Sequence, residues 1–241
     1  MTWCPQSAMV LAAGFGTRMR PAANGLPKPL VPLGGRPLID HVLDRIADAG
    51  VPRAVVNVHY CADQIVAHVA GRTRPAIVVS DETDLILDTG GGVRKALPHL
   101  GGQAVLIHNS DSVWIEHGPS NLARLFAHWD DRAMDCLMLL APVETSLGYS
   151  GKGDFSLTGS GEVIRRGAAG HAHYVFTGVS LMHPRLFADS PSGAFSLNLL
   201  WDRAIAAHRN FGLTLDGVWM HVGDPAALDQ AEKRLALATH L

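Results

Sequence analysis

Along the first half of the chain, apolar stretches of strand length alternate with segments whose apolar residues recur at helical spacing. That alternation builds a parallel sheet with helices on its faces. Residues 9–12 read as the first strand. A loop rich in glycine and proline runs to about residue 37, and a helix follows over 38–49, where Leu38, Val42, Leu43 and Ile46 share one face. Gly50 suits the end of that helix, because glycine takes a left-handed cap without Cβ strain. The alternation continues with strands at 54–58, 76–79 and 104–107 and with helices at 62–69, after Thr89-Gly90-Gly91-Gly92, and at 121–129. From residue 135 strands dominate, at 136–141, 154–157, 162–165 and 174–182, before two helices at 197–208 and 226–238. The fold class predicted is α/β, a doubly wound, mixed but mostly parallel sheet, in one elaborated domain spanning 1–241.

Composition narrows the partners. A formal net charge of −2 provides no global basic field of the kind that draws a protein to nucleic acid or to an anionic membrane. Any anion must therefore meet a local site. No apolar run reaches the roughly 20 residues that cross a bilayer, and the start of the chain lacks the layout of a secretion signal, so a cytoplasmic location is expected. Cys4, Cys61 and Cys136 are odd in number and widely spaced, which suits reduced, structural thiols rather than a disulfide or zinc framework. The five tryptophans and seven phenylalanines carry no basic interleaving and read as core or pocket walls. Residues 146–153, with Gly148, Gly151 and Gly153, look like an active-site loop.

The candidate chemistry begins directly after the first strand, at Leu11-Ala12-Ala13-Gly14-Phe15-Gly16-Thr17-Arg18-Met19. Small residues and two glycines let a backbone approach a phosphate chain and turn N–H groups toward it. Arg18 adds a forked cation. A dinucleotide fingerprint would need a third glycine where Met19 stands, and a Walker A loop would need Gly-Lys-Ser/Thr. A second cluster, Pro27-Lys28-Pro29-Leu30-Val31-Pro32, follows about ten residues downstream. A lysine held between prolines is a charge on a stiffened backbone, which a preorganised electrostatic site requires.

This pair of motifs resembles the signature of the sugar-phosphate nucleotidyltransferase family, and the resemblance extends over nearly the whole chain. Further matching segments are Asp88-Thr89-Gly90-Gly91-Gly92, Asn109-Ser110-Asp111, Phe176-Thr177-Gly178-Val179 and Trp219-Met220-His221-Val222-Gly223. The resemblance implies a Rossmann-like, glycosyltransferase-A-like fold, with residues 1–135 as the nucleotide-binding half and 136–241 as the sugar-binding half. It implies transfer of a nucleoside monophosphate from a triphosphate to a sugar 1-phosphate, in a monomer or small homo-oligomer. Gly153-Asp154-Phe155 and Lys95-Ala96-Leu97-Pro98 are similar to the short uridylyltransferases of cell-wall sugar recycling, so UTP is favoured, with GTP as the competitor from the guanylyltransferases of mannose or heptose phosphates.

The resemblance assigns roles residue by residue. Arg18 would hold the β- and γ-phosphates, Lys28 the sugar phosphate, and Asp111 a Mg²⁺ ion, for which Mn²⁺ could substitute. Leu11, Ala12, Ala13, Gly14, Gly16 and Thr17 would cradle the nucleotide, with Glu82, Thr89 and Gly90 beside the base. Gly153, Asp154, Thr177 and Gly178 would line the sugar pocket. A phosphate monoester with a second pKa of about 6 needs no strong base, so cations and positioning should carry the reaction. One departure stands out: His221 occupies the position where the family carries a second metal-binding aspartate. His221 could ligate, Asp224 could substitute, or Asp111 could work with phosphates and water alone. Asp224-Pro225 also reads as a helix N-cap with proline at the first helical position.

Overall fold

A computed structural model of the protein describes residues 3–168 and 170–238. Nine strands form the main sheet. At its centre Val105–Asn109, Ala8–Leu11, Arg53–Val58 and Ala76–Asp81 lie side by side and parallel. Tyr174–Met182 joins the other flank of Val105–Asn109 antiparallel, with Val179 opposite His108. Cys136–Pro142 pairs with Tyr174–Met182, and Asn210–Thr214 with Cys136–Pro142. The hairpin of Phe155–Leu157 and Val163–Arg165 extends the far edge.

Alternation along the first strand shows how the core divides: Ala8 and Val10 enter one apolar cluster and Met9 the other. Helices Leu38–Asp48, Ala62–Val69 and Asn121–His128 cover the first face, Asp88–Leu100 and Asn198–Ala206 the second. A third cluster of Met19, Val31, Leu33, Val113, Met220 and Ala231 packs beneath the glycine loop and gives it a solid floor. Cys4, Cys61 and Cys136 are all free thiols.

Among the described residues the structure adds five strands that the sequence pattern did not announce, two of them the two-residue pair Pro32–Leu33 and Arg36–Pro37. Ser112–Glu116 and Gly217–His221 pair as an antiparallel ribbon, and Asn210–Thr214 enters the main sheet. Each of these three is five residues long. Helix Asp88–Leu100 also begins earlier than expected, taking in all three glycines rather than following them. Close neighbours explain it: a Cβ on Gly90 would lie 2.4 Å from the Phe195 ring, and one on Gly91 2.4 Å from the Gly193 carbonyl oxygen.

One core residue makes stability depend on pH. His108 is fully buried, stacks on Trp114 with ring centroids 5.6 Å apart, and donates from Nδ1 to the Asn109 carbonyl at 2.8 Å. Nε2 has no partner among the described residues, and the Arg45 guanidinium lies 3.7 Å from the centroid of the same indole. Burial pushes the imidazole pKa down to about 3. The unfolded chain therefore takes up a proton near pH 6.5 that the native state refuses, so this contribution is complete above that pH and is lost as pH falls toward 3. From pH 6.5 to 5 the expected loss is about 2 kcal/mol. Urea denaturation at pH 7 and pH 5 should show that loss in the wild type, and His108→Leu should flatten it.

Candidate functional site

The carboxyl ends of the parallel strands open onto a cavity of about 250 Å³. Ligands gather at this end of open α/β sheets, where the strand order turns back. Leu11, Ala12, Ala13, Gly14 and Gly16 form one wall, Lys28 and Pro29 another, and Asn109, Ser110 and Asp111 a third, with Asn57, Glu82, Asp88 and Thr89 at the back. Among the described residues neither the Ala13 nor the Gly14 N–H has a protein partner. Thr17 and Arg18 are exposed on the 3₁₀ turn Thr17–Ala22 and lie outside the cavity lining.

Gly16 shows why the loop needs its second glycine. Its φ is +57°, and a Cβ there would stand 2.8 Å from the Lys28 Cβ. The lysine stem thus crosses directly over the loop. Met19, where a dinucleotide loop would have glycine, is instead fully buried as an anchor. Lys28 opens the short 3₁₀ turn Lys28–Leu30 and forms an ion pair, Nζ to Oδ2, with Asp111. Burial alone would raise the Asp111 pKa, but the Lys28 charge and hydrogen bond, helped by His221, hold the carboxyl below its usual range. The structure therefore brings two of the proposed catalytic residues, 83 positions apart in the chain, into direct contact.

Behind the loop runs a buried polar relay. The Ala12 N–H donates to Asn57 Oδ1 at 2.7 Å, and Asn57 Nδ2 donates to Glu82 Oε1 at 2.8 Å. Glu82 Oε2 accepts from the Leu87 N–H at 3.2 Å. Glu82, 1% exposed, is thus a strut as well as part of the cavity wall. Asn57 escaped the sequence reading; its signal was a lone amide one residue before the end of the otherwise apolar run 54–58. Gly92 leaves room for the relay, since a Cβ would lie 2.8 Å from Glu82 Oε1 and 2.9 Å from Asn57 Nδ2. Thr89 lines the cavity and its Oγ1 accepts from the Leu197 N–H at 3.0 Å. Gly90, next to Thr89, lies outside the cavity lining, and its N–H donates to the Phe195 carbonyl at 2.8 Å.

The antiparallel strand Tyr174–Met182 runs past the end of Val105–Asn109, since Val179 already faces His108. Its early residues reach a second cavity of about 290 Å³, lined by Asp154, Phe155, Arg165, Arg166, Phe176, Asn198 and Trp201. Of the four expected sugar-pocket residues only Asp154 lines it, with Oδ2 accepting from the Phe176 N–H at 3.0 Å. Gly153 and Gly178 are there for shape. A Cβ on Gly153 would lie 2.2 Å from the Ala172 carbonyl oxygen, and one on Gly178, at φ +85° in the bulge, 2.7 Å from Asn109 Nδ2. Thr177 is buried, and its hydroxyl donates to the Leu139 carbonyl at 2.8 Å.

The three candidate metal ligands divide clearly. Asp224 Oδ1 accepts from the Ala227 N–H at 2.9 Å and so caps helix Pro225–Ala238. His221 closes the ribbon opposite Ser112, the residue after Asp111. Its ring rests on Gly223, where a Cβ would come within 2.5 Å of Nε2, and faces Trp219 at 5.5 Å and Tyr149 at 6.5 Å. Burial lowers its pKa; Lys28 and Arg18 act in the same direction, while Asp111 and Asp224 oppose them. The imidazole is therefore mainly neutral at pH 7. Among the described residues no three His, Cys, Asp or Glu side chains form a metal-binding group. One ionised carboxylate does fit a hard divalent ion that takes its other ligands from phosphates and water.

Open backbone donors, a clamped lysine and a charged aspartate gathered around one cavity suit a phosphorylated substrate, as in a nucleotidyltransferase. The chain belongs to the MobA-like NTP transferase domain family, whose profile matches residues 8–188. It is 47% identical to the N-acetylmuramate alpha-1-phosphate uridylyltransferase of Caulobacter vibrioides, over 99% of this chain and 100% of that one. The enzyme of the same description from Neisseria meningitidis serogroup B is 31% identical over 93% of this chain and 96% of its own. HddC from Yersinia pseudotuberculosis, crystallised with GMP-PN, shares the fold at a TM-score of 0.75, covering 95% of this chain and 99% of that one at 18% identity.

Proposed function

We propose that this enzyme transfers UMP from UTP to N-acetylmuramate 1-phosphate, releasing pyrophosphate and forming the UDP-sugar, as a cytoplasmic step of cell-wall sugar recycling. The Lys28–Asp111 pair at the cavity carries the reading of the reaction, and the full-length similarity to the uridylyltransferases supports the substrates. The two substrates bring about five to six negative charges together, so catalysis is chiefly charge neutralisation and alignment. The Ala13 and Gly14 N–H groups face the nucleotide, on a backbone fixed by the Asn57–Glu82 relay. Lys28 meets the sugar phosphate and holds its oxygen in line with the α-phosphorus. Arg18, exposed at the rim, reaches the departing pyrophosphate. Asp111 would hold Mg²⁺ or Mn²⁺, with neutral His221 as the neighbouring donor, and the ion would supply neutralisation of phosphate charge.

A competition assay of pyrophosphate release tests the base. With N-acetylmuramate 1-phosphate as acceptor, UTP should exceed GTP, CTP and dTTP in kcat/KM by about tenfold or more, a margin within reach of hydrogen-bond readout. Preference for GTP would move the enzyme to the guanylyltransferase branch.

A further inference from the structure

The second cavity holds two arginines in unlike circumstances. Arg165 is spoken for: Nε pairs with Asp202, and a terminal nitrogen donates to Asn198 Oδ1 at 2.8 Å, tying the edge hairpin to helix Asn198–Ala206. Arg166 has no carboxylate partner among the described residues. It is held instead by backbone carbonyls, Nε donating to Gly153 at 2.9 Å and one terminal nitrogen to Gly170 at 3.5 Å. The carbonyls fix the direction of the guanidinium and leave it without a paired carboxylate, while Asp154 lines the same cavity. The Arg166 backbone N–H donates to the Asp154 carbonyl at 2.9 Å, so it stands directly beside the Gly153-Asp154 segment.

The rest of the wall joins two polar side chains, Asp154, whose Oδ2 accepts from the Phe176 N–H, and Asn198, which Arg165 already engages, to an aromatic floor. Phe176 and Trp201 meet edge to face with ring centroids 4.6 Å apart, and Phe155 closes on Trp201 at 6.4 Å. Phe176 is two residues along its strand from Gly178, where a Cβ would lie 2.7 Å from Nδ2 of Asn109, two residues before Asp111. Two strand residues span about 7 Å, a step that one hexose ring can bridge from the phosphate-transfer site. A cavity with an aromatic floor and one fixed guanidinium that no carboxylate pairs suits a sugar that carries both small apolar groups and a carboxylate.

We propose that Arg166 is the specificity-determining residue for the acceptor: it forms the ion pair with the ether-linked carboxylate of the sugar, while Phe176 and Trp201 pack against its methyl groups. The inference rests on the proposed acceptor, an acidic N-acetylhexosamine 1-phosphate, and names the group that recognises its acid. Guanidinium and carboxylate match in a two-pronged geometry that lysine does not reproduce.

The test is the ratio of kcat/KM for N-acetylmuramate 1-phosphate to that for N-acetylglucosamine 1-phosphate, which lacks the acid, both with UTP. Any general effect of a substitution on folding or chemistry cancels in this ratio. The wild type should favour the acidic sugar, and Arg166→Ala should lower the ratio by about tenfold or more, chiefly through KM for the acidic sugar. Arg166→Met, which keeps the packed stem, should do the same if the alanine variant folds poorly, and Arg166→Lys should restore only part of the ratio. A wild-type preference for the acidic sugar that survives in Arg166→Met overturns the role of Arg166 and leaves the proposed reaction standing. A wild-type preference for the neutral sugar overturns the proposed acceptor itself, and with it the role of Arg166.

Discussion

Replacing Lys28 by alanine should lower turnover by about 10²- to 10⁴-fold, the range expected when a preorganised charge is removed from a developing transition state. The lysine is only 15% exposed and its backbone is clamped by Pro27 and Pro29, so no neighbouring cation can swing into its place. Asp111→Asn should show a fall of similar size, because the ion pair loses its negative partner and the cavity loses its ionised carboxylate. Steady-state kinetics with both substrates varied will check this. Loss through kcat as well as KM indicates a role in the transition state, whereas a near-normal rate in either variant would remove that residue from the mechanism.

Glu82→Ala should act through the framework instead. The carboxylate is buried and accepts hydrogen bonds from Asn57 and from the Leu87 N–H, so its loss leaves two buried donors unsatisfied and opens a void beside Gly92. A cost of about 2–4 kcal/mol is expected. Nucleotide KM should rise in parallel, since Asn57 then no longer holds the Ala12 N–H in place. Glu82→Gln should cost less, because its amide oxygen can still accept from Asn57. Urea denaturation gives the stability and UTP saturation the KM; an alanine variant as stable as the wild type would show that the relay does not brace the loop.

Much of this arrangement was legible in the sequence, and the physics explains which parts. Helix Leu38–Asp48 was readable because it buries one regular face, and strand Arg53–Val58 because it is a short apolar run buried on both faces. Gly16 and Lys28 were readable because glycine and proline mark backbone constraint locally. Long-range contact was not readable. Nothing in the local pattern places Lys28 against Asp111, or Glu82 behind Ala12, because sheet topology sets those distances. Thr177 and Gly90 were assigned to pocket walls on motif position, yet one is bonded to Leu139 and the other packs on Phe195, 105 residues away. The ribbon that carries His221 toward Asp111 was invisible for the same reason: its partners are far apart and its strands short.

Mass spectrometry of the products from UTP and N-acetylmuramate 1-phosphate, with Mg²⁺ present, tests the central claim most directly. The account predicts UDP-N-acetylmuramate and pyrophosphate in equal amounts, both missing when the sugar phosphate is omitted. UTP consumed to UMP or UDP without a sugar adduct, or left intact across a panel of sugar 1-phosphates, would contradict it.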